Sequence, residues 1–314
     1  MTTVFVFVDG VGAGVPDPAV NPLARGEFLL SRFADGSGTP LPRGGRAVLA
    51  DACLGVPGRP QSATGQSSIF TGENAARLIG RHLLGFPNAP LRALLAERSL
   101  FRTLGAAGRT AAFANAYPVA YLRALGIAAD GAPEFEIPAR YARASATTVA
   151  YAAAGGRFRT WADACAGDGL THDVTGQRAR ARGADVPVRH PEEAADVLAR
   201  IASRHDLTVF EFFETDEAGH ARSMERAADA LARIDALLRA LVDRLGEGDA
   251  LVVASDHGNL EDLSVRNHTR APVPVLGFGP AAAGVAAVRD LTDLAPLLAG
   301  LSGVPRLLPR GTGG

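Results

Sequence analysis

A strand, helix, strand pattern in the second half of the chain constrains the fold most strongly. The apolar runs "LTVFEFF" near residues 207 to 213 and "ALVVAS" near 250 to 255 each predict a buried strand. Between them, apolar residues recur at helical spacing before a Gly stop, at Leu231, Ile234, Leu238, Leu241 and Leu245. A helix that joins two strands is the crossover that parallel strands require, so the sequence predicts a parallel sheet covered by helices.

Two more apolar runs belong to the same predicted sheet. "TVFVFV" leads into "DGVGAG" at the start of the chain, and "PVPVLGFG" lies near residues 272 to 279. We read both as further buried strands of the parallel kind. The predicted fold class is therefore α/β, a doubly wound and mostly parallel sheet with helices on both faces.

The middle of the chain differs from these regions. It mixes short apolar pieces such as "TAAFANAYPVAYL" with Gly- and Arg-rich connections such as "GQRARARGADVPVRH". We predict that residues 86–190 form an inserted, smaller α+β cap domain, and that residues 1–85 and 191–314 together form the core.

Composition narrows the class of partner. The chain has 314 residues, a formal net charge of -1 and 21% charged residues, which gives no electrostatic basis for binding nucleic acid or a charged membrane surface. The first apolar run is far shorter than the roughly 20 residues of a membrane span. We therefore expect a cytoplasmic protein with a small-molecule partner; the oligomeric state stays open. All 32 basic residues are Arg, which excludes chemistry that needs a lysine.

The two cysteines carry no motif. Cys53 and Cys165 lie far apart in the sequence without CxxC spacing, so neither a disulfide framework nor a thiolate metal site is indicated. We expect both to be buried.

Residues of the kind that bind metals are expected at four separate strand ends or in the loops directly after them. Open α/β sheets bind ligands at the carboxyl ends of their strands. Any one of these residues is also explained by a polar turn or a helix cap, but their recurrence favours a metal site. The candidates are Asp9, Asp216 and His220 in "FETDEAGH", Asp256 and His257 in "SDHGN", and His268 in "NHTR".

Two of these pairs depend on local geometry. Asp216 and His220 are four residues apart, so they share one face of a helical turn. Asp256 and His257 are adjacent and can converge only where the strand gives way to a turn. Glu261, in the following "LED", fits either a support for a histidine ligand or the exposed start of a loop, and we favour the loop.

The segment "RPQSATGQSSIF" offers a nucleophile. Ser62 and Thr64 precede Gly65 and an apolar run, which places them near the beginning of a predicted helix. Backbone N–H groups stabilise anions there. The alternative is that these hydroxyls only cap the helix.

Taken together, these motifs resemble those of the alkaline phosphatase superfamily, and most closely the cofactor-independent phosphoglycerate mutases and phosphopentomutases. The resemblance covers about the first 80 and the last 120 residues. Its five parts are "DG" after the first strand, "SATGQ", "DEAGH", "SDHGN" and "HTRAPVP". Where the family usually has Gly-His after the nucleophile, this chain has Gly65 and Gln66. The chain is also shorter than the established mutases.

The resemblance implies a catalytic nucleophile and two divalent metal ions, Mn²⁺ or Zn²⁺, with Mg²⁺ as a further choice. The family pattern selects Ser62 over Thr64 as the nucleophile. By the same pattern, one ion is held by Asp216, His220 and His268, and the other by Asp9, Asp256, His257 and the Ser62 oxygen. Candidate substrate contacts are Thr64, Arg81, His82 and Arg270.

The implied function is phosphoryl transfer on a small phosphorylated metabolite through a phosphoserine intermediate, by a phosphomutase-like enzyme or a phosphatase. A phosphodiesterase or sulfatase-type hydrolase of the same superfamily is one alternative. A non-catalytic protein that binds metal or an anion is another.

Overall fold

A computed structural model of the chain describes residues 1–307. Six of its strands form the central sheet and two short ones form a separate pair. In chain order the strands are β1 (Thr3–Val8), β2 (Arg46–Ala50), β3 (Ala111–Phe113), β4 (Ala116–Tyr117), β5 (Arg159–Thr160), β6 (Leu207–Phe212), β7 (Ala250–Ala254) and β8 (Val273–Phe278).

The α-helices vary from single turns to one long helix. They are α1 (Ser62–Thr71), α2 (Ala75–Ile79), α3 (Ala89–Arg98), α4 (Leu100–Ala106), α5 (Val119–Ala124), α6 (Ala146–Ala153), α7 (Trp161–Cys165), α8 (Gln177–Ala181), α9 (Pro191–Ala202), α10 (Glu214–Ala221), α11 (Met224–Arg244), α12 (Ala281–Val285) and α13 (Leu294–Leu301). Short 3₁₀ turns lie at Pro22–Arg25, Ala139–Tyr141 and Leu291–Asp293.

The central sheet is mixed. Its strand order is β2-β8-β7-β1-β6-β3, with β1, β3, β6 and β7 parallel to one another. The prediction that "PVPVLGFG" is a parallel strand is wrong, because β8 runs antiparallel to both β7 and β2. The loop from β7 to β8 contains no helix that could cross the sheet. The chain therefore enters β8 at the edge where β7 ended and runs back beside it in the opposite direction.

Helices cover both faces of the sheet, as predicted. Alternate residues of β1 point to opposite faces. Val4, Val6 and Val8 join a core with α9 and α11. Phe5 and Phe7 join a second core with residues of α1, α4, α6 and α13.

The crossover from β6 to β7 is confirmed. α11 has 21 residues, and Leu231, Ile234, Leu238 and Leu241 are buried on its inner face, while Leu245 lies just past its end. No helix within residues 1–307 is both long and apolar enough to cross a membrane.

The predicted division into core and cap stays a prediction. Within residues 86–190, β3 pairs with β6 at the edge of the main sheet, and α3 and α4 contact α1. The pair β4 and β5 belongs to a separate small sheet.

The prediction that both cysteines are buried is wrong for Cys165 and only partly right for Cys53. Cys165 is exposed at the end of the short helix α7, where its thiol donates to the Asp185 carbonyl at 3.0 Å. Cys53 is half-buried, and both are free thiols.

Candidate metal centre

The predicted ligands meet at one edge of the sheet. The strands β1, β6 and β7 end at this edge and the antiparallel β8 begins there, so the loop that carries His268 arrives beside the other ligands. Two groups form, each with its ligand atoms within 4.8 Å of one another. The first ligand group is Asp9, Asp256 and His257, and the second ligand group is Asp216, His220 and His268.

The turn after β1 brings the two groups together. Asp9 is followed by Gly10, whose φ of 71° lies in the left-handed region. A Cβ atom at Gly10 would lie 2.6 Å from Asp216 Oδ1. Only glycine therefore permits this turn to pack against the second ligand group.

The first ligand group is buried. His257 Nε2 lies 3.3 Å from Asp9 Oδ1 and 3.6 Å from Asp256 Oδ2. Burial and the neighbouring Asp256 raise the pKa of Asp9 well above its ordinary value, and burial and Asp216 raise the pKa of Asp256 to about 7. Burial lowers the pKa of His257 to about 4, so this imidazole is neutral at pH 7 and can act as a ligand.

The second ligand group combines a helix with a loop. Asp216 and His220 lie on α10, as their spacing predicted, with His220 Nε2 3.2 Å from Asp216 Oδ2. His268 Nε2 lies 3.1 Å from His220 Nε2 and 3.6 Å from Asp216 Oδ1. Burial opposes ionisation of Asp216, but the hydrogen bond from His220 and the nearby histidines lower its pKa to about 2. Burial and the neighbouring His257 lower the pKa of His268 to about 4.

Ser62 lies beside the first ligand group. It is the first residue of α1, and its Oγ is 3.0 Å from His257 Nε2. A Cβ atom at Gly65 would lie 2.9 Å from the Asp256 carbonyl oxygen. The glycine thus lets α1 approach the end of β7 closely enough to present Ser62.

Each ligand group has three side chains that could hold a divalent cation, and the first group shows a specific need for one. Asp9 Oδ1 and His257 Nδ1 are buried and have no hydrogen-bond partner. The raised pKa values of Asp9 and Asp256 mark two carboxylates whose negative charge a cation would offset. Carboxylates and imidazoles without a thiolate suit Mn²⁺, Zn²⁺ or Mg²⁺.

The four predicted substrate contacts lie outside the cavity above these groups. Thr64 is fully buried, with its hydroxyl 3.1 Å from the Gln61 carbonyl. Arg81 is exposed beside α2 and α3. His82 lies 3.2 Å from the Val56 carbonyl, and the Arg270 guanidinium donates to the Gly58 carbonyl at 3.0 Å.

Gln66 and Asn259 are site residues that the sequence analysis did not select. Gln66 Nε2 lies 3.5 Å from Asp9 Oδ2 and 3.3 Å from Asp256 Oδ2. Asn259 donates to Asp216 Oδ1 at 2.6 Å. Both lie within the motifs already recognised. Gln66 is one helical turn after Ser62, and this spacing could have indicated that it faces the same site.

Two buried glutamates complete the surroundings. Glu261 is 1% exposed and accepts from the backbone N–H groups of Gly12 and Asn259 at 3.0 and 2.8 Å and from the Thr269 hydroxyl. The prediction of an exposed loop start is therefore wrong, because this carboxylate fastens together the loops that carry the ligands. Glu211 is fully buried on β6, and burial raises its pKa to about 8. A charged residue in the apolar run "LTVFEFF" was its signal.

A cavity of about 720 Å³ opens over the centre. Asp9, Ser62 and Asp216 line its floor. The arginines that reach it come from the middle of the chain and were not predicted: Arg143, Arg178 and Arg182. His172, which carried no functional signal in the sequence, lines it too, and burial lowers its pKa to about 4.

Part of the chain is similar in sequence to known proteins. Residues 185–303 match the Metalloenzyme superfamily. A 2,3-bisphosphoglycerate-independent phosphoglycerate mutase from Syntrophotalea carbinolica is 36% identical over 119 residues, which are 35% of this chain and 23% of that protein. A phosphopentomutase from Symbiobacterium thermophilum is 43% identical over 91 residues, covering 28% of this chain and 23% of that protein. The match thus spans about a quarter of the length of these curated relatives.

The fold has a broader likeness. Alkaline phosphatase from the Antarctic bacterium TAB5 superposes with a TM-score of 0.53 at 11% identity, over 96% of this chain and 98% of that one. At this identity the likeness concerns the fold alone. Residues 185–303 therefore carry the sequence pattern of the Metalloenzyme superfamily, within a chain that has an alkaline-phosphatase-like fold.

Proposed function

We propose that the chain is a metal-dependent enzyme that transfers the phosphoryl group of a small phosphate ester through Ser62. The observation that supports this best is the place of the Ser62 hydroxyl. Its Oγ lies 3.0 Å from His257 Nε2 at the beginning of α1, and it lines the same cavity as Asp9 and Asp216. A nucleophile, two candidate ion sites and a helix N-terminus are thereby gathered in one place.

We assign one divalent ion to Asp216, His220 and His268, and a second to Asp9, Asp256, His257 and the Ser62 oxygen. When bound, the ions would supply positive charge that lowers the pKa of the Ser62 hydroxyl and neutralises the phosphoryl oxygens. Gln66 donates toward Asp9 and Asp256, and Asn259 holds Asp216. These amides fix the carboxylates before substrate arrives.

The chemistry proceeds in two displacements. In the first, the Ser62 hydroxyl gives up its proton to solvent, Oγ forms a bond to phosphorus as the ester P–O bond breaks, and the departing alkoxide takes a proton from water. In the second, a water molecule or a substrate hydroxyl attacks the phosphoserine and gives up its proton to solvent, the bond from phosphorus to Oγ breaks, and Ser62 Oγ takes a proton from water. The N–H groups in the first turn of α1 have no carbonyl partner within the helix and can donate to the phosphoryl oxygens.

The acceptor in the second step separates the two forms of this proposal. Transfer to water makes the enzyme a phosphatase, and transfer to another hydroxyl of the same substrate makes it a mutase. A diesterase or sulfatase would use the same centre on a different ester. A protein that only binds metal or an anion would need no nucleophile.

The test compares Ser62→Ala with Ser67→Ala in the presence of Mn²⁺ or Zn²⁺. Ser67 lies on the same helix with its hydroxyl donating to the Ala63 carbonyl at 2.6 Å, so it is a matched control. We expect Ser62→Ala to abolish turnover of phosphate esters and the appearance of a covalent phosphate on α1 in mass spectra. Ser67→Ala should retain both.

The products then identify the reaction. Free phosphate indicates a phosphatase, and an isomeric ester without free phosphate indicates a mutase. Unchanged turnover in Ser62→Ala would overturn the nucleophile assignment. Full turnover in metal-depleted protein would overturn the proposal as a whole.

A further inference from the structure

The cavity over the ligand groups is much larger than a phosphoryl group needs. Its volume of about 720 Å³ falls within the range of sites that enclose a sizeable organic ligand. Aromatic side chains form a large part of its lining. We call these six residues the aromatic wall: Phe86, Tyr117, Tyr121, Phe135, Trp161 and Phe213.

The rings of the aromatic wall pack on one another. Tyr117 and Tyr121 are stacked, with ring centroids 5.4 Å apart and planes 10° apart. His172 meets Tyr117 edge-on at 4.9 Å and stacks on Phe213 at 5.5 Å. Phe213 lies between β6 and α10, so the wall continues directly into the helix that carries Asp216.

The tyrosines offer carbon rather than oxygen to the cavity. The Tyr117 hydroxyl lies 3.4 Å from Thr148 Oγ1, and the Tyr121 hydroxyl donates to the Arg143 carbonyl at 2.5 Å. Arg178, which also lines the cavity, is engaged by Glu214 and Glu217. These polar groups are occupied within the protein and do not present themselves to a ligand.

The mouth of the cavity exposes apolar surface. Phe86 and Phe135 are each 42% exposed. Arg143 lies over the Phe86 ring, 5.7 Å from its centroid, and Arg143 and Arg182 are both exposed. These two cationic side chains are thus on the exposed side of the cavity, whereas rings form much of its buried lining, beside polar residues such as Thr171 and Asp173.

We propose that the substrate is a phosphate monoester whose organic group carries a flat, apolar aromatic ring. Such a ring would stack on the aromatic wall with its phosphate over the two ligand groups. A sugar phosphate would place hydroxyls against the rings of the wall, where each group left unpaired is unfavourable. A nucleobase would likewise place part of its polar edge against carbon. This inference rests on the proposed function, because it assigns the ester on which Ser62 acts.

The first experiment measures kcat/KM for 2-phenylethyl phosphate, ribose 5-phosphate, methyl phosphate and adenosine 5′-monophosphate with the metal-loaded enzyme. All four release an alkyl alcohol, so differences among them report recognition of the organic group. We expect 2-phenylethyl phosphate to exceed each of the others by at least about tenfold, from the burial of one ring. Equal or higher values for ribose 5-phosphate or adenosine 5′-monophosphate would overturn the inference.

Variants locate the preference on the wall. We expect Tyr121→Ala and Trp161→Ala to reduce the ratio of kcat/KM between 2-phenylethyl phosphate and methyl phosphate by at least about fivefold. Tyr141→Ala is the matched control, since Tyr141 is 65% exposed and does not line the cavity. An unchanged ratio in both wall variants would contradict the assignment.

Binding is measured separately from turnover. Trp161 is the only tryptophan of the chain, so its fluorescence reports on the wall. With Zn²⁺ present, 2-phenylethylphosphonate, which has no ester bond to break, should change this fluorescence saturably and at least about tenfold more tightly than methylphosphonate. Absence of that preference would overturn the inference.

The two proposals fail differently. If the phosphonate binds with the expected preference but no phosphate ester is turned over, the proposed function fails and the assignment of the aromatic ring stands. If phosphate esters are turned over through Ser62 without preference for the ring, the proposed function stands and the inference fails.

Discussion

The floor and the wall of the cavity are built in different ways. By the floor we mean Ser62 and the two ligand groups. These residues come from strand ends, from the loop before β8 and from the helices α1 and α10, and the ligand groups carry three carboxylates and three imidazoles. Five of the six wall residues come from residues 86–161, in short elements and loops. The carboxylates of the floor repel one another, whereas the rings of the wall pack against one another. Under our proposals the floor carries out the chemistry and the wall selects the substrate, so changes in the two regions should have separable effects.

The largest effect should follow a change in the floor alone. Asp256→Asn removes one negative ligand from the first group, so we expect metal content to fall from two ions to one per chain. Phosphoryl transfer should fall by about 1,000-fold or more, because the ion that we assign to Ser62 would be lost. Elemental analysis of dialysed protein and a phosphate-release assay measure both quantities.

Asp196→Asn is the control for this change in charge. Asp196 is exposed and paired with Arg244 on the surface, so its removal should leave metal content at two ions. Two retained ions in Asp256→Asn would break the distinction between floor and wall, since the floor would then not depend on its buried carboxylates.

The next effect concerns Glu211, a buried carboxyl group near Asp256. The pKa of Glu211 is about 8 in the folded chain, against an ordinary 4.5. The folded state therefore keeps a proton that the unfolded state loses, and the free energy of unfolding falls as the pH rises from about 4.5 to about 8. The side chain in Glu211→Gln stays neutral at every pH. The free energy of unfolding of this variant should therefore rise by roughly 3 to 5 kcal/mol relative to that of the original chain across this interval.

Urea unfolding of the metal-free proteins at a series of pH values measures this gain. Glu247→Gln, at an exposed position, controls for the change in net charge. A difference between Glu211→Gln and the original chain that does not grow with pH would show that Glu211 is charged in the folded state.

A smaller effect should follow from crowding the floor. Gly65→Ala places a methyl group 2.9 Å from the Asp256 carbonyl oxygen, so α1 must shift. We expect a loss of about 1 to 2 kcal/mol in the free energy of unfolding, since overpacking exceeds the gain in helix propensity. Gly105→Ala on α4 meets nothing within 4 Å and should instead stabilise by roughly 0.5 to 1 kcal/mol. Urea unfolding at pH 7 decides between these signs, and stabilisation by both substitutions would contradict the close approach of α1.

The smallest effect should come from removing a polar atom of the wall. Tyr117→Phe deletes a hydroxyl whose contact with Thr148 Oγ1 is long, at 3.4 Å. We expect a change below about 1 kcal/mol in the free energy of unfolding and no change in metal content. Thermal unfolding and elemental analysis check this. A loss of metal in Tyr117→Phe would mean that wall and floor are coupled, contrary to the comparison drawn above.

The sequence by itself determined the α/β class, the crossover through α11 and the six candidate ligands. Those features depend on local patterns, namely apolar runs, helical spacing and short polar motifs beside the strands. The division of the ligands into two groups was implied only by the family resemblance. It did not determine the direction of β8, because an apolar run has the same composition whichever way it runs.

Only the tertiary structure decided the rest of the site. The arginines that line the cavity, the buried supports Glu261 and Gln66, and the aromatic wall depend on contacts between segments far apart in the chain. Tyr121 and Trp161 stand in helical segments with no motif, and their rings form one surface with Phe213 only after the chain has folded. The carboxyl ends of parallel strands meet at one edge of the sheet, so residues at strand ends are expected to lie together. No comparable rule predicts which residues of loops and short helices will meet.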